Sequence, residues 1–187
     1  SEAERLLDEL RRLLEEIKRR IEELLEESKR SLEEVEKRSK ELLDRLEDLL
    51  RKIKEEIRKD GTSDEVAKKI KELLERLEDS IRKVKEEDEK MLREHEETNR
   101  RIEKEIKDML RKLEDDIKKV KDRLKDSPEE VKERLERLRE RIKREIDRVI
   151  RELRELDKRA KEVSKRTKEE LEKILEKVRR VIEEVKR

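Results

Sequence analysis

The sequence has no cysteine, no aromatic residue, and only one glycine, one proline and one histidine among its 187 residues. Without cysteine there is no disulfide framework, no thiolate zinc site and no cysteine nucleophile. Without aromatic rings there is no platform on which the bases of single-stranded nucleic acid stack. One histidine among scattered carboxylates does not supply the ligands of a zinc site, so we predict no metal.

An excess of charge of one sign is lacking as well. The chain is 63% charged, but 59 Lys and Arg residues against 58 Asp and Glu residues give a formal net charge of +1. Interleaved signs leave no basic surface for nucleic acid. Apolar runs are never longer than two residues, which argues against a membrane helix, and no leader resembles a signal peptide. We expect no nucleic acid, membrane, cofactor or small-molecule ligand as a partner.

The apolar residues recur at a regular interval, although low hydrophobicity with high charge is typical of disorder. The first helical segment divides into three blocks of 18 residues, 6–23, 24–41 and 42–59, and each block begins with two leucines. Eighteen residues make five turns of an α-helix. The same interval recurs in the rest of the chain. It predicts nearly straight helices, because repeats of seven or eleven residues are the ones that impose a supercoil.

Capping residues divide the chain into three helices. Ser1 and Glu4 have the spacing of a capping box at the N-terminus. Gly61 suits the position after a helix, and Thr62 with Glu65 forms a second capping box. Farther on, Ser127 is the predicted N-cap and Pro128 the first helical residue. These signals predict helices over about 2–59, 63–125 and 128–186, with loops at about 60–62 and 126–127.

The predicted fold class is all-α. Very short loops make successive helices antiparallel neighbours. Three amphipathic helices of about 60 residues, each about 90 Å long, bury their apolar stripes best around one axis. We therefore predict a single domain over 1–187, an elongated antiparallel up-down-up three-helix bundle. The Glu, Lys and Arg residues on the outer faces are interpreted as a solvated surface.

Polar residues interrupt the apolar stripe in the middle third of every helix. In the first helix the outer blocks have leucine or isoleucine at the corresponding core positions, Leu13 and Leu49 among them. Buried polar groups are costly unless they are hydrogen-bonded, so the pattern predicts hydrogen-bond networks. The interrupting residues are Ser28, Ser31 and Ser39, then Asp88, His95 and Asn99, and finally Asp157, Ser164 and Thr167.

The positions of the loops indicate which polar residues lie level, within about one helical turn. They predict two adjoining networks. The first is Ser28 or Ser31 with His95 and Asp157, with Thr98 or Asn99 beside it; the second is Ser39, Asp88, Ser164 and Thr167. An apolar seam permits axial slippage, whereas a buried network is satisfied in one register. We therefore expect these networks to specify helix register.

Ser, His and Asp are also the residue types of a nucleophile, a base and an orienting acid. Continuous helices, however, leave no free backbone N–H for an oxyanion hole, and a central seam has little room for substrate. We therefore predict no catalytic residue and no enzyme activity, with a Ser–His–Asp esterase as an alternative. Met91 and Met109 are interpreted as core filler.

The loop sequences KDGTSDE and KDSPEE, the surface of Glu, Lys, Arg and Asp, and repeats without drift carry a resemblance over the whole chain. The sequence resembles a de novo designed, parametrically generated three-helix bundle with buried hydrogen-bond networks. Spectrin-like repeats are similar in topology, but they carry core aromatics that are absent here.

The resemblance implies a very stable scaffold without natural biochemical activity or natural localisation, soluble when produced in the cytoplasm of a host. It also implies a monomer that requires no partner. The alternative is a helical interaction or oligomerisation module that associates through apolar flanks such as Ile150, Val163 and Val181.

Overall fold

The computed structural model of the chain describes residues 1–60 and 63–186, with the backbone alone at 60 and 186. It contains three α-helices, α1 (Glu2–Asp60), α2 (Asp64–Arg123) and α3 (Glu129–Lys186). Each has acidic residues in its first turn, where the positive end of the helix dipole stabilises negative charge. Over their described residues, none of the three helices has an apolar stretch of the length that a bilayer crossing needs.

Serine side chains begin the first two helices. The Glu4 amide donates to Ser1 Oγ at 3.4 Å, as the capping box at the N-terminus predicts. The Val66 amide donates to Ser63 Oγ at 3.4 Å, and the Ala67 amide donates to the Ser63 carbonyl at 3.0 Å. Ser63 is therefore the N-cap of α2. Of the predicted loop at 60–62, Asp60 is the last residue of α1, whereas Gly61 and Thr62, to which the caps were assigned, lie outside the described residues.

The second loop differs by one or two residues from the prediction. Helix α2 ends at Arg123, because the Ser127 amide donates to the Leu124 carbonyl at 3.0 Å and closes a turn. The prediction of Ser127 as the N-cap of α3 was wrong. The first helical acceptor is the carbonyl of Pro128, which accepts from Val131 and Lys132 at 3.0 Å and 3.3 Å. A capping residue supplies that first carbonyl, so the cap lies at Pro128.

The helices form two compact units, and each unit contains part of all three. Unit 1 comprises Ser1–Ser31 and Glu96–Lys158, and unit 2 comprises Leu32–His95 and Arg159–Arg187. Each unit has its own apolar core. The most deeply buried residues of unit 1 include Leu24, Ile102, Leu110 and Ile142, and those of unit 2 include Leu74, Ile174 and Val178. Burial of such side chains is the main favourable contribution to folding.

Contacts between helices show their directions. In unit 1, α1 is antiparallel to α2 and parallel to α3. As residue numbers rise along α1, the numbers of its contact partners fall on α2 and rise on α3. The pairs are Arg20–Glu105 and Ser28–Asn99, then Glu15–Arg141 and Glu22–Arg148. In unit 2, the pairs Glu78–Arg179 and Asp88–Ser164 make α2 and α3 antiparallel. The predicted all-α three-helix bundle is confirmed.

Two leucines that were predicted to be core residues lie at the surface. Leu13 is 39% exposed and Leu49 is 46% exposed, whereas Leu10 and Leu46 are buried. Residues three apart on an α-helix are separated by about 60° around the helix axis. Leu13 and Leu49 therefore lie beside the apolar stripe that contains Leu10 and Leu46. Ser31 occupies the corresponding position of the middle block and is half-buried for the same reason.

Candidate functional site: two buried polar clusters

The polar residues of the middle blocks differ in burial. Ser31, Thr98 and Asp157 are half-buried. Among the described residues, no fully buried side-chain nitrogen or oxygen lacks a hydrogen-bond partner. The buried members are Ser28, Ser39, Asp88, His95, Asn99, Ser164 and Thr167. Their polar atoms therefore enter the interior without the penalty of an unsatisfied group.

In unit 1, Ser28, Asn99 and Asp157 form what we name the asparagine cluster. The Ser28 hydroxyl on α1 donates to Asn99 Oδ1 on α2. Asn99 Nδ2 donates to Asp157 Oδ1 on α3 at 2.6 Å and also contacts the Leu153 carbonyl at 3.5 Å. An amide has both an acceptor and donors, so Asn99 connects a hydroxyl to a carboxylate. Asn99 is the centre of this cluster.

The sequence placed Asn99 beside this network rather than at its centre. Its position in the repeat was the available signal, because Asn99 stands at the place of Ile81 and Ile117 in the neighbouring blocks. His95, which was predicted to be the centre, is buried in unit 2. The predicted contacts of His95 with Ser28, Ser31 and Asp157 stay predictions.

In unit 2, Ser39, Asp88 and Ser164 form what we name the aspartate cluster. Asp88 on α2 is 1% exposed. Ser164 Oγ on α3 donates to Asp88 Oδ2 at 2.7 Å, and Ser39 Oγ on α1 donates to Oδ1 at 3.4 Å. Each carboxylate oxygen therefore accepts one hydroxyl, and the two hydroxyls come from two different helices.

Burial dominates the electrostatics of Asp88. The pKa of its carboxyl is raised because the apolar surroundings disfavour the charged form. The hydrogen bonds from Ser164 and Ser39 and the charge of Lys168 lower the pKa in part, while Glu89 raises it further. The ammonium of Lys168 lies 3.6 Å from Glu89 Oε1, so much of its charge is already neutralised. The net direction is upward.

Thr167 is buried, and its predicted place in the aspartate cluster stays a prediction. Its hydroxyl donates to the Val163 carbonyl of its own helix at 2.9 Å. A threonine inside a helix readily bonds the carbonyl four residues earlier, and this satisfies the only donor that the hydroxyl has.

The arrangement links helices and does not assemble a reaction centre. The hydroxyls of Ser28, Ser39 and Ser164 donate to an amide oxygen or a carboxylate. Ser39 and Thr167 line a surface groove of about 540 Å³ in unit 2, together with Leu43, Val163 and charged residues of α1 and α3. Over residues 1–60 and 63–186, no three His, Cys, Asp or Glu side chains are grouped so that they could hold a metal ion.

Comparisons with known proteins agree on the class that this geometry defines, a three-helix bundle. No protein-family model matches the chain, and no curated protein sequence is significantly similar to it. Among solved structures, the chain is similar to a protein described as a computationally designed three-helix bundle, with a TM-score of 0.59 and 24% sequence identity. The similarity covers 99% of this chain and 81% of the other. At this level of identity it shows the fold.

Proposed function

We propose that the protein is a designed structural scaffold whose buried polar clusters specify the register of its three helices. One observation carries the proposal: each cluster takes one side chain from each helix. Ser28, Asn99 and Asp157 do so in unit 1, and Ser39, Asp88 and Ser164 do so in unit 2. The structural similarity to a computationally designed bundle supports the designed origin.

The physical basis is the difference between apolar and polar contacts. Leucine packs against leucine about equally well after a helix slides by one turn, about 5.4 Å. A hydrogen bond does not survive that displacement, and each buried polar group left unpaired costs about 1–3 kcal/mol. A slide of α2 in unit 1 separates Asn99 from both Ser28 and Asp157. The clusters therefore disfavour registers that an apolar seam tolerates.

The test replaces the asparagine cluster with the residues of the corresponding outer positions: Ser28→Leu, Asn99→Ile and Asp157→Leu. Spin labels on Arg19→Cys of α1 and Lys119→Cys of α2 are offset along the helix axis, because the neighbouring Arg20 lies level with Glu105, so their distance reports an axial slide within unit 1; the native chain has no cysteine. We expect one narrow distance in the parent, and in the variant a second population displaced by about 5 Å.

A control pair, Leu14→Ile with Leu110→Ile, changes buried volume little and leaves the cluster intact, so it keeps the single distance. One narrow, unchanged distance in the triple apolar variant would contradict a role in register.

We further propose that the scaffold has no catalytic residue. Ser28 Oγ is fully buried and donates to an amide oxygen, so it faces neither a substrate nor a base. Backbone N–H groups inside a continuous helix are already bonded and form no oxyanion hole. We expect hydrolysis of an activated ester at the same rate in the parent, Ser28→Ala and His95→Ala. A loss of at least about tenfold in both variants would favour the esterase alternative.

The monomeric state is a proposal as well. Of the flanks named for association, Val181 belongs to the core of unit 2, while Ile150 and Val163 are half-buried. Leu13 and Leu49 are the only large apolar side chains that are exposed among the described residues. Two isolated leucines fall far short of a stable interface, which buries about 800 Å² per partner. Light scattering should therefore give the monomer mass of 23.1 kDa; twice that mass would favour the interaction module.

A further inference from the structure

Asp88 is the only acidic side chain that is buried among the described residues. It takes part in no ion pair within that part of the chain; only the hydroxyls of Ser39 and Ser164 bond its two oxygens. A buried carboxylate without a cation holds its charge at considerable cost. Serine hydroxyls accept as well as donate, so the same two partners also serve a protonated carboxyl.

The charged groups around Asp88 do not compensate it directly. On α1, the Arg38 guanidinium is 3.2 Å from Glu87 of α2 and 3.9 Å from Glu41 of its own helix. On α2, Glu89 lies beside Asp88 in sequence and adds negative charge. On α3, Lys168 pairs with that Glu89 at 3.6 Å. Arg38 on α1 and Lys168 on α3 therefore already have acidic partners.

We propose that Asp88 makes unit 2 respond to pH: binding of one proton by its carboxylate tightens the packing of the three helices around it, and release of that proton loosens it. The proton comes from water and changes the side chain from charge −1 to neutral, with no other bond made or broken. Unit 2 then has a tighter acidic form and a looser neutral-pH form.

The direction follows from proton linkage. Burial raises the pKa of Asp88 in the folded chain above its value in the unfolded chain, so the folded state binds the proton more tightly. The stability that Asp88 contributes in this way is fully present below the ordinary carboxyl pKa of the unfolded chain. It is lost as the pH rises through the raised pKa of Asp88 in the folded chain. Paired surface carboxylates behave in the opposite way, because their pKa falls on folding and acid weakens the protein.

Unit 1 provides an internal reference. The carboxylate of its asparagine cluster, Asp157, is half-buried and accepts from the neutral Asn99 amide at 2.6 Å. No acidic side chain is fully buried among the described residues of unit 1. We therefore expect the tightening at acidic pH in unit 2 and not in unit 1.

The test is hydrogen exchange at about pH 5 and about pH 8, corrected for the intrinsic exchange rates, on peptides covering 70–81 in unit 2 and 106–117 in unit 1. In the parent we expect protection of the unit 2 peptide to be higher at the lower pH, because the folded state binds the proton of Asp88 more tightly than the unfolded state does. In Asp88→Asn, which is neutral at every pH, the ratio of protection at the lower pH to protection at the higher pH falls to about one.

Asp122→Asn, on the exposed surface of α2, is the matched control. We expect it to keep the ratio of protection at the lower pH to protection at the higher pH that the parent shows. Should Asp88→Asn fail to fold, Asp88→Ile supplies the neutral variant, because isoleucine occupies the corresponding positions 70 and 106. Carbon-13 titration of the Asp88 carboxyl gives an independent readout. Equal protection ratios in the parent and in the neutral variant would overturn the proposal. An equal change of protection in unit 1 would also overturn it, as would a titration midpoint of Asp88 in the ordinary carboxyl range.

Discussion

The asparagine and aspartate clusters use the same plan, one side chain from each helix, but they differ in the residue at the centre. Asn99 is neutral and both donates and accepts, whereas the ionised Asp88 only accepts. Asn99 therefore forms a directional chain from Ser28 to Asp157, and the charge lies at a half-buried position. Asp88 holds its charge in the interior, where two serines donate to it.

The difference shows that a buried hydrogen-bond network does not by itself stabilise the fold. Removing the centre of the asparagine cluster leaves a buried hydroxyl without an acceptor, which is costly. Removing the whole aspartate cluster takes away a buried charge together with its donors, and apolar replacement of such groups is often neutral or favourable. Substitution of Asn99 alone and replacement of the whole aspartate cluster should therefore have effects of opposite sign.

The largest expected effect is at the centre of the asparagine cluster. Asn99→Leu removes the acceptor of Ser28 and the donor to Asp157 while keeping the volume similar. We expect the free energy of unfolding, measured with guanidinium, to fall by about 3 kcal/mol, because Ser28 loses its acceptor and Asp157 loses the Asn99 donor. Asn99→Asp keeps an acceptor for Ser28 but places a second carboxylate against Asp157, so it should not recover the stability of the parent. A loss below about 1 kcal/mol in Asn99→Leu would mean that water or another side chain replaces the amide.

The next effect has the opposite sign. The aspartate cluster is replaced by Ser39→Ile, Asp88→Ile and Ser164→Ile. Isoleucine is the residue at all the corresponding outer positions, which are 21 and 57 on α1, 70 and 106 on α2, and 146 and 182 on α3. At neutral pH we expect the free energy of unfolding to rise by about 2 kcal/mol, because a desolvated charge is replaced by apolar packing. The same exchange in the asparagine cluster serves as the comparison, and a loss of stability in the aspartate variant would contradict this account.

The fold was predictable from the sequence because periodicity and caps are local signals. Helix bounds were right to within two residues at the described ends, and the polar layer was found from its place in the repeat. The partners within that layer were not predictable. His95 and Asn99 lie one turn apart on α2, and a height estimate with an error of about one turn, about 5.4 Å, does not separate them. The bond from Thr167 to its own helix depends on a rotamer, which no sequence pattern specifies.

A smaller effect separates the two serines that hold Asp88. Ser164 donates at 2.7 Å and Ser39 at 3.4 Å, and the shorter bond to a carboxylate is the stronger. At neutral pH we expect Ser164→Ala to lower the free energy of unfolding by about 1.5 kcal/mol and Ser39→Ala by about 0.5 kcal/mol. Combining either with Asp88→Asn tests the assignment in a double-mutant cycle. Equal losses from the two alanine variants would mean that both hydroxyls hold the carboxylate equally.

The smallest expected effect is at Thr167, and it marks where the aspartate cluster ends. Thr167→Val keeps the shape of the side chain and supplies the residue found at the corresponding positions 149 and 185. The lost hydroxyl bonds only the Val163 carbonyl, which also belongs to the backbone ladder of α3, so we expect a change within about 0.5 kcal/mol. Because the hydroxyl does not reach Asp88, the effect should also add independently to that of Ser164→Ala. A coupling energy above about 0.5 kcal/mol between these two substitutions would place Thr167 inside the network and restore the larger cluster that the repeat predicted.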